Sequence, residues 1–320
     1  MNNILITSAS RKVTLVKNFK KALNGMGKVI AMDISPEAPA LYFADEYVIG
    51  LRSDNSKFMD SIVDLCKQKD IKLIIPTRDE ELLLFSKNQA IFDEIGVKLM
   101  VSGVETIETC QDKIKFIDFC EKNGFNVPKT FNSIDEIKRE DYPLFLKPVV
   151  GKGGADTHKV ESREDLEVIL KSGDEEFIIQ ECILADEYTI DLFADFDSNV
   201  ISAVPRQRVN VWGGESLVTK TVKNEQLIGE AVRLASALGL KGHNTIQCFF
   251  DGETISFIEV NPRFGGAASI SFKAGANSAE FLLKLLNGDR LEPQIGEFED
   301  KLIALRYVED YFINEDCLGE

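Results

Sequence analysis

Glu259, Asn261 and Arg263 stand at every second position of FIEVNPRFGG, residues 257–266. Alternate side chains of a strand share a face. If the strand runs that far, a carboxylate, an amide and a guanidinium form one row, while Ile258 and Val260 turn to the other side. Oxygen donors beside a guanidinium suit a hard cation such as Mg²⁺ better than zinc. Gln247, in TIQCFF, offers a further oxygen. Its register is the difficulty. A two-residue hairpin turn at Asp251 and Gly252 would set Gln247 opposite Ser256, on the sheet face away from Glu259. A shared site requires a three- or five-residue loop, or a bulge.

Lys147 closes the apolar run YPLFLKPVV and is followed by Gly151, Gly153 and Gly154. Backbone amides free of side chains can close over phosphate oxygens, with the lysine supplying charge. The spacing is not that of a Walker A loop, and a plain glycine hairpin beside a solvated lysine is the alternative. Gln180 and Glu181 end the run EEFIIQE, and Glu187 follows six residues after Glu181. Such carboxylates can accept from an adenine amino group or from ribose hydroxyls; two surface acids in a reverse turn would look the same. VPRQRVNVWGGES contributes Arg206, Arg208 and Trp212, either an anion site or a charged hairpin tip.

The elements that must hold these groups fall into two regimes. Over the first hundred residues apolar runs (NILIT, KVIAMDI, EYVIG, IKLIIPT, VKLMVS) alternate with amphipathic stretches such as KVTLVKNFKKALNG and SKFMDSIVDLCKQKD. That is the signature of a doubly wound parallel sheet with helices on both faces. Ligands of such sheets gather at the carboxyl ends of the strands, here Thr7–Arg11, Asp33–Ser35 and Thr77–Glu80. The first of these turns, TSASRK, lacks the glycines of a dinucleotide fingerprint, which argues against a nicotinamide site. Asp79 and Glu80 could instead recognise an amine. From about residue 104 the pattern shifts, through a helix at DKIKFIDFCEKNG, towards β-rich segments with helices at SREDLEVILKSG, NEQLIGEAVRLASALG and SAEFLLKLLNG; Ser162, with Asp165 three residues on, reads as an N-cap.

With 320 residues, 44% of them hydrophobic and 28% charged, the chain can bury two or three domain cores. Its formal charge of −16 argues against nucleic-acid or anionic-membrane partners, which demand basic patches. No apolar run reaches the roughly 18 residues of a membrane span and the N-terminus has no signal layout, so a cytoplasmic location is expected. The six cysteines form no CxxC pair and are expected to be reduced.

Taken in order, Lys113, Lys147, the glycine loop, Gln180-Glu181, Glu187, Gln247 and E-x-N-x-R make a set far more specific than any member. With FLKPVVGKGG and IEVNPRFGG, the chain resembles the ATP-grasp superfamily, most closely one synthetase module of the carbamoyl-phosphate synthetase large chain and related carboxylate-amine ligases. The resemblance implies a Rossmann-like pre-ATP-grasp domain over 1–103, a small lobe with the glycine lid over 104–187, and a large lobe with metal and substrate sites over 188–320. It implies ATP held by Lys113, Lys147, Gly151, Gly153, Gly154, Glu181, Ile183 and Glu187. One or two Mg²⁺ ions, with Mn²⁺ as a substitute, would sit on Gln247, Glu259 and Asn261. Arg263 and Lys147 would neutralise charge on the transferred phosphoryl group, and Arg206, Arg208 and Arg263 would face the carboxylate substrate. The implied reaction phosphorylates a small carboxylate and passes it to an amine. A homodimer is compatible with the resemblance, as are a carbamoyl-phosphate-forming subunit and a regulatory nucleotide-binding protein.

Overall fold

In the computed structural model, which describes residues 2–149, 156–171 and 176–318, the chain opens with β1 (Asn3–Thr7), α1 (Val13–Leu23), β2 (Val29–Asp33), β3 (Glu46–Ile49), α2 (Phe58–Lys69) and β4 (Ile71–Pro76). Then come α3 (Asp79–Lys87), α4 (Gln89–Glu94) and β5 (Lys98–Leu99). These strands make a parallel sheet in the order β3-β2-β1-β4-β5, the doubly wound arrangement read from the alternation. One detail differs. The run EELLLFSKNQAIFDEIG reads as one helix but is two, broken at Asn88, whose side chain donates to the Leu84 carbonyl. An asparagine that bonds to its own backbone competes with helix continuation.

After α5 (Val104–Gln111) and α6 (Lys113–Lys122) the chain builds a four-stranded antiparallel sheet from β6 (Thr130–Phe131), β7 (Leu144–Pro148), β8 (His158–Val160) and β9 (Phe177–Glu181), with α7 (Arg163–Lys171) alongside. Ser162 accepts from the Asp165 amide at the start of α7. The stretch IDEIKRE, residues 134–140, reads as one short helix but forms two short 3-10 turns, Ile134–Glu136 and Arg139–Asp141. The glycine loop, with Gly151, Gly153 and Gly154, lies outside the described residues.

The remainder is a six-stranded antiparallel sheet ordered β14-β13-β10-β11-β12-β15. Its members are β10 (Asp186–Ala194), β11 (Val200–Trp212), β12 (Glu215–Thr221), β13 (Gly242–Phe250), β14 (Ile255–Asn261) and β15 (Ile303–Leu305). Helix α8 (Glu225–Leu238) covers one face; α9 (Ser269–Lys273) and α10 (Ser278–Leu286) return to the first domain. The start of α8 is capped by Asn224, whose side chain accepts from the Leu227 amide, and it ends at Gly239 in the left-handed conformation.

The cores cut across the boundaries expected from sequence. Phe116 and Cys120 of α6 pack with Ile190, Leu192 and Ile246 of the large sheet and with Ala231 of α8, while the small sheet has its own core of Phe131, Leu144, Leu146, Leu166 and Ile179. Of the helices after the boundary at 104, α5 places Ile107 in the core of the parallel sheet and α6 packs on the large sheet, and the boundary at 187 falls inside β10. On the parallel sheet, one face packs α2 and α3 through Phe58, Leu82 and Phe85. The other buries Ile4, Ile6 and Phe19 together with Phe264, Phe272, Phe281 and Leu282.

Candidate active site

The β13–β14 hairpin resolves the register problem with an irregularity. Phe250 pairs with Ile255 across a four-residue loop, Asp251–Thr254, a length not among those considered above. Without further adjustment Gln247 would oppose Ile258, and Glu259 would point into the core beside Phe257. A bulge intervenes: Cys248 pairs with Phe257 but Gln247 with Glu259, leaving Ile258 as the extra residue. Phe257 before it and Val260 after it both face the core; Glu259 and Asn261 face the cleft. Ile258, expected on the core side, lines the cleft instead.

Strand β14 stops at Asn261. Arg263 owes its position to a tight turn about Pro262, in which its amide donates to the Asn261 carbonyl at 2.7 Å, and not to strand alternation. Its guanidinium forms a two-pronged pair with Asp79 at the start of α3, 2.8 Å from Nε to Oδ1 and 3.0 Å from Nη2 to Oδ2. Asp79 thus holds an arginine of the large lobe, a role its sequence position alone did not disclose. The chain of contacts continues: Arg263 Nη2 donates to Asn261 Oδ1 at 3.2 Å, and Asn261 Nδ2 to Glu259 Oε1 at 2.9 Å.

Above this row stand the two lysines. Lys147, on β7, is buried, and burial pulls its ammonium down to about 8, opposed by the Glu259 carboxylate and assisted by Lys113. Lys113, first residue of α6 with Asp112 as its N-cap, is lowered by burial and raised by Glu259. Its Nζ donates to the carbonyls of Pro148 (2.9 Å) and Val149 (3.2 Å), which ties it to the strand leading into the glycine loop. Both cations feel one carboxylate across the gap between the two sheets.

Glu187 accepts from Gln247 Nε2 at 3.2 Å and pairs with Arg208 Nε at 3.0 Å. Burial raises its pKa, with Arg208 and Gln247 opposing. Donating through Nε2 leaves Gln247 Oε1 for a cation. Glu181 is exposed, and its carboxylate accepts from the Lys129 amide at 2.8 Å; Gln180 beside it is buried and donates to Pro128 and Thr130. Ile183 is half-buried in the link between β9 and β10.

Arg206 and Arg208, the candidate carboxylate-binding pair, are both already engaged by carboxylates of the protein. Arg206 is locked to Asp191 (Nε–Oδ2 3.0 Å), with side chains only 3% and 0% exposed. Arg208 spends its donors on Glu187, Gly214 and Thr189. Trp212 is 75% exposed at the tip of the β11–β12 hairpin and does not line the cleft. The cleft, a cavity of about 440 Å³, runs from Lys113 and Glu259 past Asn261 and Arg263 to Arg206 and Arg306.

Two family models match this chain. Residues 4–100 match the one described as a PylC-like N-terminal domain, and residues 110–267 match the one described as an ATP-grasp domain. The second match contains both lysines, the bulged hairpin and the E-x-N-x-R row. Residues 110–267 form an ATP-grasp domain.

Curated ATP-grasp relatives include the carbamoyl phosphate synthase large chain of Thermoplasma volcanium, 25% identical over 241 residues, and the N-terminal section of the same chain from Methanopyrus kandleri, 28% identical over 242 residues. Each alignment takes in 68% of this chain but only 23% and 42% of the relative, so the chain spans less than half the length of these curated relatives. Among solved structures, biotin carboxylase from Campylobacter jejuni superposes with a TM-score of 0.72 at 20% identity, covering 94% of this chain and 74% of that one. N5-carboxyaminoimidazole synthetase from Staphylococcus aureus gives 0.69 at 15% identity, with 91% and 79% covered. These likenesses establish the ATP-grasp fold, a parallel-sheet domain followed by two antiparallel lobes. Among the described residues no helix is long and apolar enough to cross a membrane.

The donor set of this ATP-grasp cleft fits a hard divalent cation. Among the described residues no three His, Cys, Asp or Glu side chains gather to hold a metal, yet the Glu259 carboxylate and the Gln247 and Asn261 amide oxygens are all neutral or anionic oxygen ligands. Such a sparse set suits Mg²⁺, which commonly takes one or two protein carboxylates and completes its shell with phosphate and water. Asn261 would have to turn its Oδ1 from Arg263 to join.

Proposed function

We propose that this chain is an ATP- and Mg²⁺-dependent ligase that activates a small carboxylate as an acylphosphate for attack by an amine. The observation that carries the reading is the bulge at Ile258, which sets Gln247 against Glu259 beside the buried Lys147 and the half-buried Lys113. A β-strand that departs from regular pairing to bring oxygen ligands onto the cleft face is better explained by a bound cation than by packing.

In this reading Lys147 and Lys113 grip the phosphates of ATP, with Gly151, Gly153 and Gly154 as the lid. Ile183 and Glu181 border the adenine, and Glu187 the ribose. Glu259, Gln247 and Asn261 hold the metal, which supplies charge neutralisation when bound. Arg263, oriented by Asp79, faces the oxygens of the transferred phosphoryl group. A carboxylate is a poor electrophile until it carries a good leaving group, and this site works by position and charge, not by a nucleophile of its own. Small-molecule substrates, a cytoplasmic setting and a homodimer complete the proposal; one structural neighbour, the biotin carboxylase domain of 2-oxoglutarate carboxylase from Hydrogenobacter thermophilus, is a dimer.

A second reading, a carbamoyl-phosphate-forming subunit, is favoured by the names of the curated relatives. Bicarbonate and ammonia as the only effective pair would select it.

The deciding assay is ADP release with ATP and Mg²⁺ against pools of carboxylates and amines, in wild type and Glu259→Gln. Stimulation in wild type alone is the expected result. ATP binding without stimulated turnover in any pool would sink the ligase reading and favour a regulatory nucleotide-binding protein.

A further inference from the structure

The wall of the cleft carries arginines that are already neutralised. Arg206–Asp191, Arg208–Glu187, Arg263–Asp79 and Arg306–Glu215 are guanidinium–carboxylate pairs, each with its arginine on the cavity wall. A wall of balanced pairs gives little net attraction for a simple anion. It suits a ligand end that carries both signs.

The pairs are not equivalent. Arg206 and Asp191 are buried to within 3% and 0%, and parting them would strand a charge out of water. Glu215 and Arg306 are 54% and 34% exposed at 2.8 Å, so each can trade its partner for another group of like charge at small cost. They come from different elements, the start of β12 and the segment just after β15, and meet over Gly266. A Cβ on Gly266 would stand 3.5 Å from Arg306 Nη1 and 3.7 Å from Glu215 Oε1. Beside them Arg206 Nη1 and Ser216 Oγ, on buried residues, have no hydrogen-bond partner among the described residues. Buried polar groups left unpaired are costly, and at a cavity wall they indicate a ligand that pairs them.

We propose that the part of the cleft around Gly266 receives the α-amino and α-carboxylate groups of an amino acid. Glu215 takes the ammonium; Arg306, Arg206 Nη1 and Ser216 Oγ take the carboxylate; Gly266 leaves room for the α-carbon. The proposal rests on the ligase reading for its place in a reaction, but not for binding. It also gives a role to Arg306, which lies beyond the residues matched by the ATP-grasp model.

The test uses the full chain, with the twenty standard L-amino acids and their 2-hydroxy-acid counterparts as probes, in ADP-release and thermal-shift assays. In wild type at least one amino acid should stimulate ADP release with KM about tenfold below that of its hydroxy acid, about 1.4 kcal/mol of discrimination. Glu215→Gln should raise KM for the amino acid about tenfold and erase that preference, and Arg306→Met should raise KM for both compounds. Gly266→Ala, which fits the empty site, should raise KM without lowering Tm. An unchanged preference in Glu215→Gln overturns the proposal while leaving the ligase reading intact. If no probe stimulates ADP release, the thermal shift decides separately: an amino acid that stabilises wild type but not Glu215→Gln supports the site, and no shift in wild type overturns it.

Discussion

Lys147 shows how burial converts a side chain into a sensor of its ligand. With its ammonium brought down to about 8, it is charged below that pH and neutral above it. Phosphates hold the charged form, so ATP affinity should fall as pH rises, by about tenfold between pH 7 and pH 9 if the bound lysine stays protonated. Titration calorimetry at the two pH values checks this, and Lys147→Arg should flatten the profile because guanidinium keeps its charge. His243 gives the opposite dependence. It is stacked on Phe264 at 4.3 Å, with Nδ1 2.8 Å from Ser278 Oγ, and burial lowers its pKa from 6.5 to about 4. The unfolded chain binds a proton that the folded chain refuses, so stability is lost as pH falls from 6.5 towards 4. The full effect is about 3 kcal/mol. Denaturant melts at pH 7 and pH 5 should differ more in wild type than in His243→Gln. The residues of both arguments were unequally legible. Lys147 stands out at the end of its apolar run, whereas the ion pairs of Arg206 and Arg208 depend on carboxylates that only sheet register brings near.

At the scale of elements, the β13–β14 hairpin and the turn after it carry the site. The alternation E-x-N-x-R was readable, and so was the need for an irregularity to unite Gln247 with Glu259; the position of the bulge was not, because Phe257 and Ile258 are adjacent apolar residues and either could serve as the core-facing one. The turn after β14 was less legible still. Arg263 looks like the third member of a strand face, but Pro262 cannot donate to a ladder, and the strand ends before it. Gly265 completes the turn by lying against β13, where a Cβ would come within 2.7 Å of Thr245 Oγ1. Gly265→Ala should therefore push the turn from the strand at a cost of about 1–3 kcal/mol and lower Tm by a few degrees. The double variant with Thr245→Ala should recover most of that loss if the contact is its cause.

For the whole molecule, alternation of strands and helices disclosed the doubly wound sheet, because each strand and each helix states its own period locally. Which helices would cover that sheet was hidden, since α9 and α10 are separated from β1 by more than half the chain. Phe264, Phe272, Phe281 and Leu282 fill one of its faces beside Ile4, Ile6 and Phe19. Unfolding of the full chain should consequently couple these regions. Hydrogen exchange should find β1 and α10 protected to the same free energy, and a fragment of residues 1–103 should bind hydrophobic dye and lack a sharp melt. A folded, dye-free fragment would count against this coupling.

That shared core has a bearing on how such chains can be recombined. Exchanging the first hundred residues with those of a relative would bring a foreign sheet against resident helices, so a graft made at a linker in the sequence would cut through a packed interface in space. A workable chimaera must carry α9 and α10 along with the sheet they cover, together with Asp79 and Arg263, whose pairing spans the same seam. The unit that can be inherited whole is defined by what is packed together and not by what is consecutive.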